Sequence, residues 1–160
     1  DVAPSRGLGD VYKRQDMACA GRLGMELQPK QMNAEEKAFA RKAIESYKGY
    51  RDIVMEGDLY RIGTPYDDTG YYGVMYVSKD KKKAVLFTYC TLYQSRTLVP
   101  KYRLYGLDAQ TRYKIREQNV DKKRFWFDGG TFTGEYLNHA GINPNLNKIY
   151  DSAVFVLEAE

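Results

Sequence analysis

A capped amphipathic helix followed at once by two-residue alternation is the feature that most limits how this chain can fold. Asn33 is a good N-cap, and Glu36 three residues later completes the pattern of a capping box. Ala40, Ala43, Ile44, Tyr47, Tyr50 and Val54 then recur at helical spacing, while Lys37, Arg41, Glu45, Lys48 and Asp52 fall mostly elsewhere. The spacing predicts a helix over about 33–55, ended by Gly57 in a left-handed conformation. Such a helix cannot bury its apolar stripe by itself, so a second layer has to cover it.

Upstream of the helix, Met17 to Leu27 is small and apolar, which predicts a short buried strand entering a Gly-rich turn. Residues 16–57 therefore read as one β/α unit. Beyond Gly57 the period becomes alternating. Asp58–Ile62, Tyr71–Ser78, Ala84–Thr91, Lys101–Leu107, Arg112–Arg116, Thr131–Leu137 and Ala153–Glu158 are the expected strands, with turn residues between them. The Gly106-Leu107-Asp108 turn predicts a hairpin joining the fourth and fifth of these. The fold class is mainly β: an antiparallel β-sandwich over 58–160, preceded by the β/α unit. Fifteen tyrosines against six phenylalanines and one tryptophan suit half-buried rings on strands.

A lone β/α unit ahead of an all-β domain is what the last turn of a larger α/β structure would look like, so further units are expected upstream. Asp1 to Gln15 has neither a helical nor a strand period, and its stretch RGLGDVYKRQ is similar to translated sequencing-adapter DNA. Residues 1–15 are accordingly expected to be non-native.

Composition removes several function classes. A net charge of +4 spread along the chain does not call for a polyanionic partner, so no nucleic acid is expected. No apolar run approaches the ~20 residues that cross a bilayer, and no membrane association is expected. Cys19 and Cys90 have no metal or redox spacing and read as small core residues. No cofactor and no metal site is expected.

The segments Gly21-Arg22-Leu23-Gly24-Met25-Glu26-Leu27-Gln28-Pro29, Tyr47-Lys48 through Tyr50-Arg51, and Gly57-Asp58-Leu59-Tyr60-Arg61 resemble bacterial α-galactosidases of glycoside hydrolase family 36. Gly106-Leu107-Asp108 resembles that family's G-L-D turn, and Thr133-Gly134-Glu135-Tyr136-Leu137 with Asn138 and Gly141 resembles its segment near the end. Ile62 stands where the family usually has Leu. The resemblance implies a C-terminal piece: the last β/α unit of a (β/α)8 barrel, then the complete C-terminal sandwich. It further implies a parent that removes terminal α-galactosyl residues from oligosaccharides with retention, using two carboxylates. The family's K-x-D-x-N nucleophile motif is missing here. Cys19-Ala20-Gly21-Arg22 only echoes the family's C-x-x-G-G-G-R-x-D acid/base motif, because no Asp follows at the required offset. No catalytic residue is assigned. The expected partners are the upstream catalytic barrel, the parent's oligosaccharide and, as an option, further copies of the chain.

Other residues invite chemistry and have plainer readings. Asp67 and Asp68 are paired acids in a Pro/Gly-bounded turn, better read as solvated than as Ca²⁺ ligands or an acid/base pair. Asp58 reads as a strand-entry hydrogen bonder. His139, the only histidine, reads as a loop residue beside Asn138, Gly141 and Asn143. Lys101–Tyr105, Arg112–Arg116 and Lys122–Trp126 combine basic and aromatic residues, as a nucleotide-stacking sheet would, but equally as the wet face of an antiparallel sheet does. Trp126 is expected to pack into the core or against the barrel, with sugar stacking as the rival role. That rival gives the alternative function, a stand-alone carbohydrate-binding β-sandwich module.

Overall fold

A computed structural model describes residues 18–21, 23, 30, 32–66, 68–92, 101–118, 120 and 122–160. Helix α1 (Ala34–Glu56) is followed by strands β1 (Asp58–Ile62), β2 (Tyr71–Val77), β3 (Lys83–Cys90), β4 (Arg112–Glu117) and β5 (Thr131–Thr133), then the short helix α2 (Gly134–His139) and β6 (Asp151–Ala159). The strands form one antiparallel sheet in the order β1-β2-β3-β6-β4-β5. The mainly β, antiparallel reading and the long helix over about 33–55 are both observed.

The start of α1 follows its sequence signal. The Asn33 side chain accepts from the Glu36 N–H at 2.9 Å, and the Glu36 carboxylate accepts from the Asn33 N–H at 2.9 Å. The end differs from expectation. Gly57 is extended, at φ −72° and ψ 168°, and not left-handed. Its glycine answers a shortage of space: a Cβ there would lie 2.7 Å from the Val77 carbonyl oxygen and closer still to that of Ile53. The helix end and the end of β2 approach too closely for a side chain.

Strand parity divides the interior into two cores. In β2, Tyr71, Met75 and Val77 face one core while Tyr72 and Tyr76 face the other. β3 is buried on both sides, with Ala84, Leu86 and Cys90 toward the first and Val85, Phe87 and Tyr89 toward the second. The second core lies under α1, where Tyr47, Tyr50, Ile53 and Val54 meet Val85, Phe87 and Val154. Tyr50 meets Phe87 edge-on at 6.0 Å between centroids, and burying a ring of this kind stabilises by about 2 kcal/mol. Ile44, expected on the buried stripe, is 37% exposed, whereas Ile53, outside the expected stripe, is buried. β4 extends beyond α1, so Arg112, Lys114 and Arg116 occupy its uncovered face.

The larger core is closed by a second layer without regular strands among the described residues. Tyr102, Leu104, Leu107, Leu137, Ile142 and Leu146 provide it. The strand expected over Lys101–Leu107 is reduced to one bridge, Tyr102 with Ile142, and the hairpin with β4 does not form. Leu104 N–H donates to the Leu137 carbonyl at 3.0 Å instead. The burial alternation of that stretch is genuine (Tyr102 and Leu104 inside, Lys101 and Arg103 outside). Alternation reports one-sided burial, however, and does not name the ladder partner. Likewise Thr131–Leu137 is strand only to Thr133. There the Thr133 hydroxyl caps α2 by accepting from the Tyr136 N–H at 3.2 Å.

Within the β/α unit, the strand expected over 17–27 is corrected where it is described: Ala18 and Cys19 are helical, Ala20 is in a turn and Gly21 in a bend. Met17, Arg22 and residues 24–27 lie outside the described residues, as do residues 1–15. The described part packs on α1 and the sheet, with Tyr47 Oη donating to the Gly21 carbonyl at 2.8 Å and Tyr76 Oη to the Ala20 carbonyl at 2.7 Å. Cys19 and Cys90 are buried and neither forms a disulfide, consistent with small core residues.

Candidate functional site

The loop between β4 and β5 carries the most chemically distinctive surface. Its backbone is fastened to β4: Ile115 N–H donates to Gly130 at 3.0 Å, Gly129 N–H to Ile115 at 2.7 Å, and Glu117 N–H to the Asp128 carboxylate at 3.0 Å. Gly129 takes φ +77°, a region a β-carbon disfavours. Phe125 and Phe127 stack on each other at 5.5 Å between centroids and both meet Phe155 of β6. With its two neighbours turned inward, the intervening Trp126 is turned outward, and it is 68% exposed. Of the two packing places expected for Trp126, the core is filled by Phe125 and Phe127 instead, while packing against the barrel stays an expectation.

Trp126 is nevertheless held in place. Its ring meets Phe127 edge-on at 5.8 Å and Phe132 edge-on at 5.7 Å. Phe132 in turn stacks on Tyr136 at 5.5 Å with an interplanar angle of 20°. Phe132 lies on β5 and Tyr136 in α2, so the helical turn after Thr133 brings the two rings together. The sequence carries a signal for this pair, four residues apart across a capping threonine, but a continuous strand over 131–137 would keep them separate.

Beside the loop is an ionic cluster. Arg124 Nε donates to Glu117 Oε1 at 2.7 Å, its Nη2 to the Ser152 carbonyl at 2.9 Å, and its Nη1 lies 3.5 Å from Asp151. The guanidinium also lies over the Phe125 ring, 5.0 Å from its centroid. Arg116, Glu117, Lys122, Lys123 and Asp128 border an open cleft of about 340 Å³ on this side.

The remaining candidates are placed as follows. Asp67 lies outside the described residues, and Asp68 is exposed in a turn. Asp58 is exposed and ion-paired with Lys79. His139 is the exposed last residue of α2, and Asn138 beside it donates to the Leu107 carbonyl at 3.3 Å. Tyr102 and Tyr113 of the basic-aromatic stretches are buried in the larger core, so their ring faces are not displayed for stacking. Other acids serve local structure. The Asp108 carboxyl is held below its usual range by hydrogen bonds from Thr111 and Gln110, that of Asp80 mainly by the Ser78 hydroxyl, and that of Glu160 by Lys114 and Thr131. Among the described residues no group of three or more His, Cys, Asp or Glu is arranged to hold a metal ion. No described helix is long and apolar enough to cross a membrane.

Residues 71–157 match the family model described as the glycosyl hydrolase family 36 C-terminal domain. Alpha-galactosidase 2 of Hypocrea jecorina is 32% identical over 141 residues, covering 88% of this chain and 17% of that protein. Probable alpha-galactosidase G of Aspergillus terreus is 30% identical over 141 residues, covering 88% of this chain and 18% of that protein. The resemblance to bacterial members thus extends to fungal ones. A doubly substituted GH36 alpha-galactosidase AgaA of Geobacillus stearothermophilus, solved in complex with stachyose, superposes with a TM-score of 0.80 at 25% identity, over 100% of this chain and 20% of that one. The chain therefore spans 17–18% of the length of the two curated relatives.

Proposed function

Because the chain belongs to the family of glycosyl hydrolase family 36 C-terminal domains, we propose that it serves as the accessory domain of an α-galactosidase and performs no glycosidic chemistry of its own. The observation that carries this reading is the match over residues 71–157 to a C-terminal domain, in relatives of which the chain covers under one-fifth. The parent enzyme hydrolyses terminal α-galactosyl residues of neutral oligosaccharides such as stachyose. A retaining mechanism needs a nucleophilic carboxylate and an acid/base carboxyl about 5–5.5 Å apart across the scissile bond. In a (β/α)8 barrel these groups stand at strand C-termini, on segments preceding this one.

Four of the described acids fit this division of labour. Glu117 and Asp151 are both engaged by Arg124, Asp58 pairs with Lys79, and Glu158 pairs with Lys83 at 3.0 Å. Each is occupied by a cation. Residues 16–57 belong with the last barrel unit and 58–160 with the C-terminal sheet domain, joined through the second core under α1. Stability is then the domain's main service to the barrel.

Incubating the purified chain with an aryl α-galactoside tests the proposal, and no turnover is expected. Turnover that survives stringent purification, and disappears on substituting an acid of this chain, would overturn it.

A further inference from the structure

We propose that Trp126, Phe132 and Tyr136 form a sugar-stacking site that takes one unit of a neutral oligosaccharide. Three observations carry it. Trp126 presents most of an indole to water, yet two edge-on ring contacts fix its orientation, so little ordering remains to be lost on binding. Tyr136, 41% exposed and stacked on Phe132, stands as a second wall steeply inclined to the indole and adds a hydroxyl. The rings lie at the β5 edge on the side of the larger core, whereas α1 and residues 18–21 occupy the opposite face over β2 and β3. The helical layer therefore leaves the rings uncovered.

Size and charge choose the occupant. The three rings expose on the order of 300 Å², well short of the ~800 Å² per partner of a stable protein interface. That area is of the order that one pyranose unit covers. The nearby polar groups suit a polyol: Glu135 is exposed next to Tyr136, and Thr131 of the same strand as Phe132 donates to Glu160 at 3.0 Å. Asp128 two residues beyond Trp126 is also acidic. Carboxylates and hydroxyls beside aromatic rings accept hydrogen bonds from sugar hydroxyls, and they disfavour nucleic acid or an anionic membrane even with Lys122 and Lys123 in the same loop. The choice of a galactose-containing oligosaccharide rests on the family reading above.

Trp126 is the only tryptophan, so its fluorescence reports this site alone. The whole chain is titrated with stachyose, with glycerol at equal mass as the control. A saturable change with a Kd of about 1 mM, absent with glycerol, is expected. Retardation in a gel containing galactomannan gives the second readout. Trp126→Ala and Tyr136→Ala should each weaken retardation about tenfold while Trp126→Phe keeps part of it, and melting curves establish that the variants are folded. No saturable change, or the same change with glycerol, overturns the site. So does a fluorescence shift that follows protein concentration without sugar, which would assign the rings to a second copy. Failure of binding leaves the accessory-domain reading standing, because hydrolysis is measured separately.

Discussion

Arg124 closes over a carboxylate that has no solvent exposure: its Nε donates to Glu117 Oε1 at 2.7 Å, while Glu117 itself stands at the end of β4. The same guanidinium reaches Ser152 and Asp151 on β6, so one side chain ties the β4–β5 loop to two strands. Removing it would leave the Glu117 charge enclosed without this cation. Arg124→Ala should cost about 3 kcal/mol, and Arg124→Ala with Glu117→Leu clearly less than the sum of the single changes. Urea denaturation of the four species of the double-mutant cycle measures this. Additive costs would mean that the pair is not coupled.

Gly49 in the middle of α1 and Gly57 at its end should respond to alanine with opposite sign. Gly49 is exposed, and a β-carbon there would meet nothing within 4 Å, so Gly49→Ala should stabilise by about 0.5–1 kcal/mol. Gly57→Ala would drive a methyl group against the Ile53 and Val77 carbonyls and should destabilise by about 1–3 kcal/mol. Thermal melts separate them: for a chain of this size about 2–4 °C corresponds to each kcal/mol. A neutral Gly57→Ala would show that the helix end and β2 move apart at little cost.

The capping box at Asn33 and the β2–β3 hairpin around Lys79–Lys83 are legible in the sequence, because local hydrogen-bonding chemistry and parity determine them. Tyr102 and Leu104 show the limit. Their alternation identifies burial correctly, but the backbone they bond to is decided by the fold, and it is that of residues 142 and 137. At Gly57 the residue type is informative without revealing its reason, since close approach and left-handed backbone leave the same mark in a sequence. Trp126 is harder to place, because Phe125-Trp126-Phe127 lies in a turn where strand parity does not apply, and contact with Phe155 selects the two phenylalanines. The pairing of Phe132 with Tyr136 is concealed because the threonine that caps α2 is also a good strand former.

Helix α1 should exchange its amide hydrogens unevenly. From Ala43 onward Tyr47, Tyr50, Ile53 and Val54 are buried against the sheet, whereas Ala34 to Ala38 and Arg41–Lys42 face water. Opening the first two turns breaks few buried contacts, while opening the last three disrupts the second core. Exchange over 45–56 is expected to be at least about tenfold slower than over 38–42 in the isolated chain. Uniform protection along the helix would mean that its first turns are covered as well, by association through the exposed Ile44 side.

Alkaline pH should unfold the chain through its buried tyrosines. Burial pushes the Tyr102 hydroxyl well above its usual range, with the neighbouring Cys90 and tyrosines adding to the effect, and this hydroxyl donates to the Tyr89 carbonyl at 3.2 Å. A folded-state pKa above the unfolded one means that the native chain holds the proton more tightly. The stability this provides is complete below the ordinary tyrosine value of about 10 and is lost as pH rises above it. Tyr102→Phe removes that linkage together with a buried hydrogen bond, so it should cost about 1 kcal/mol at neutral pH and flatten the fall in stability above about pH 10. Urea midpoints at about pH 8 and about pH 11 for the two proteins decide the matter. Parallel losses in both would place the alkaline sensitivity in other groups, with Tyr72 and Tyr76, also raised mainly by burial, the next to replace.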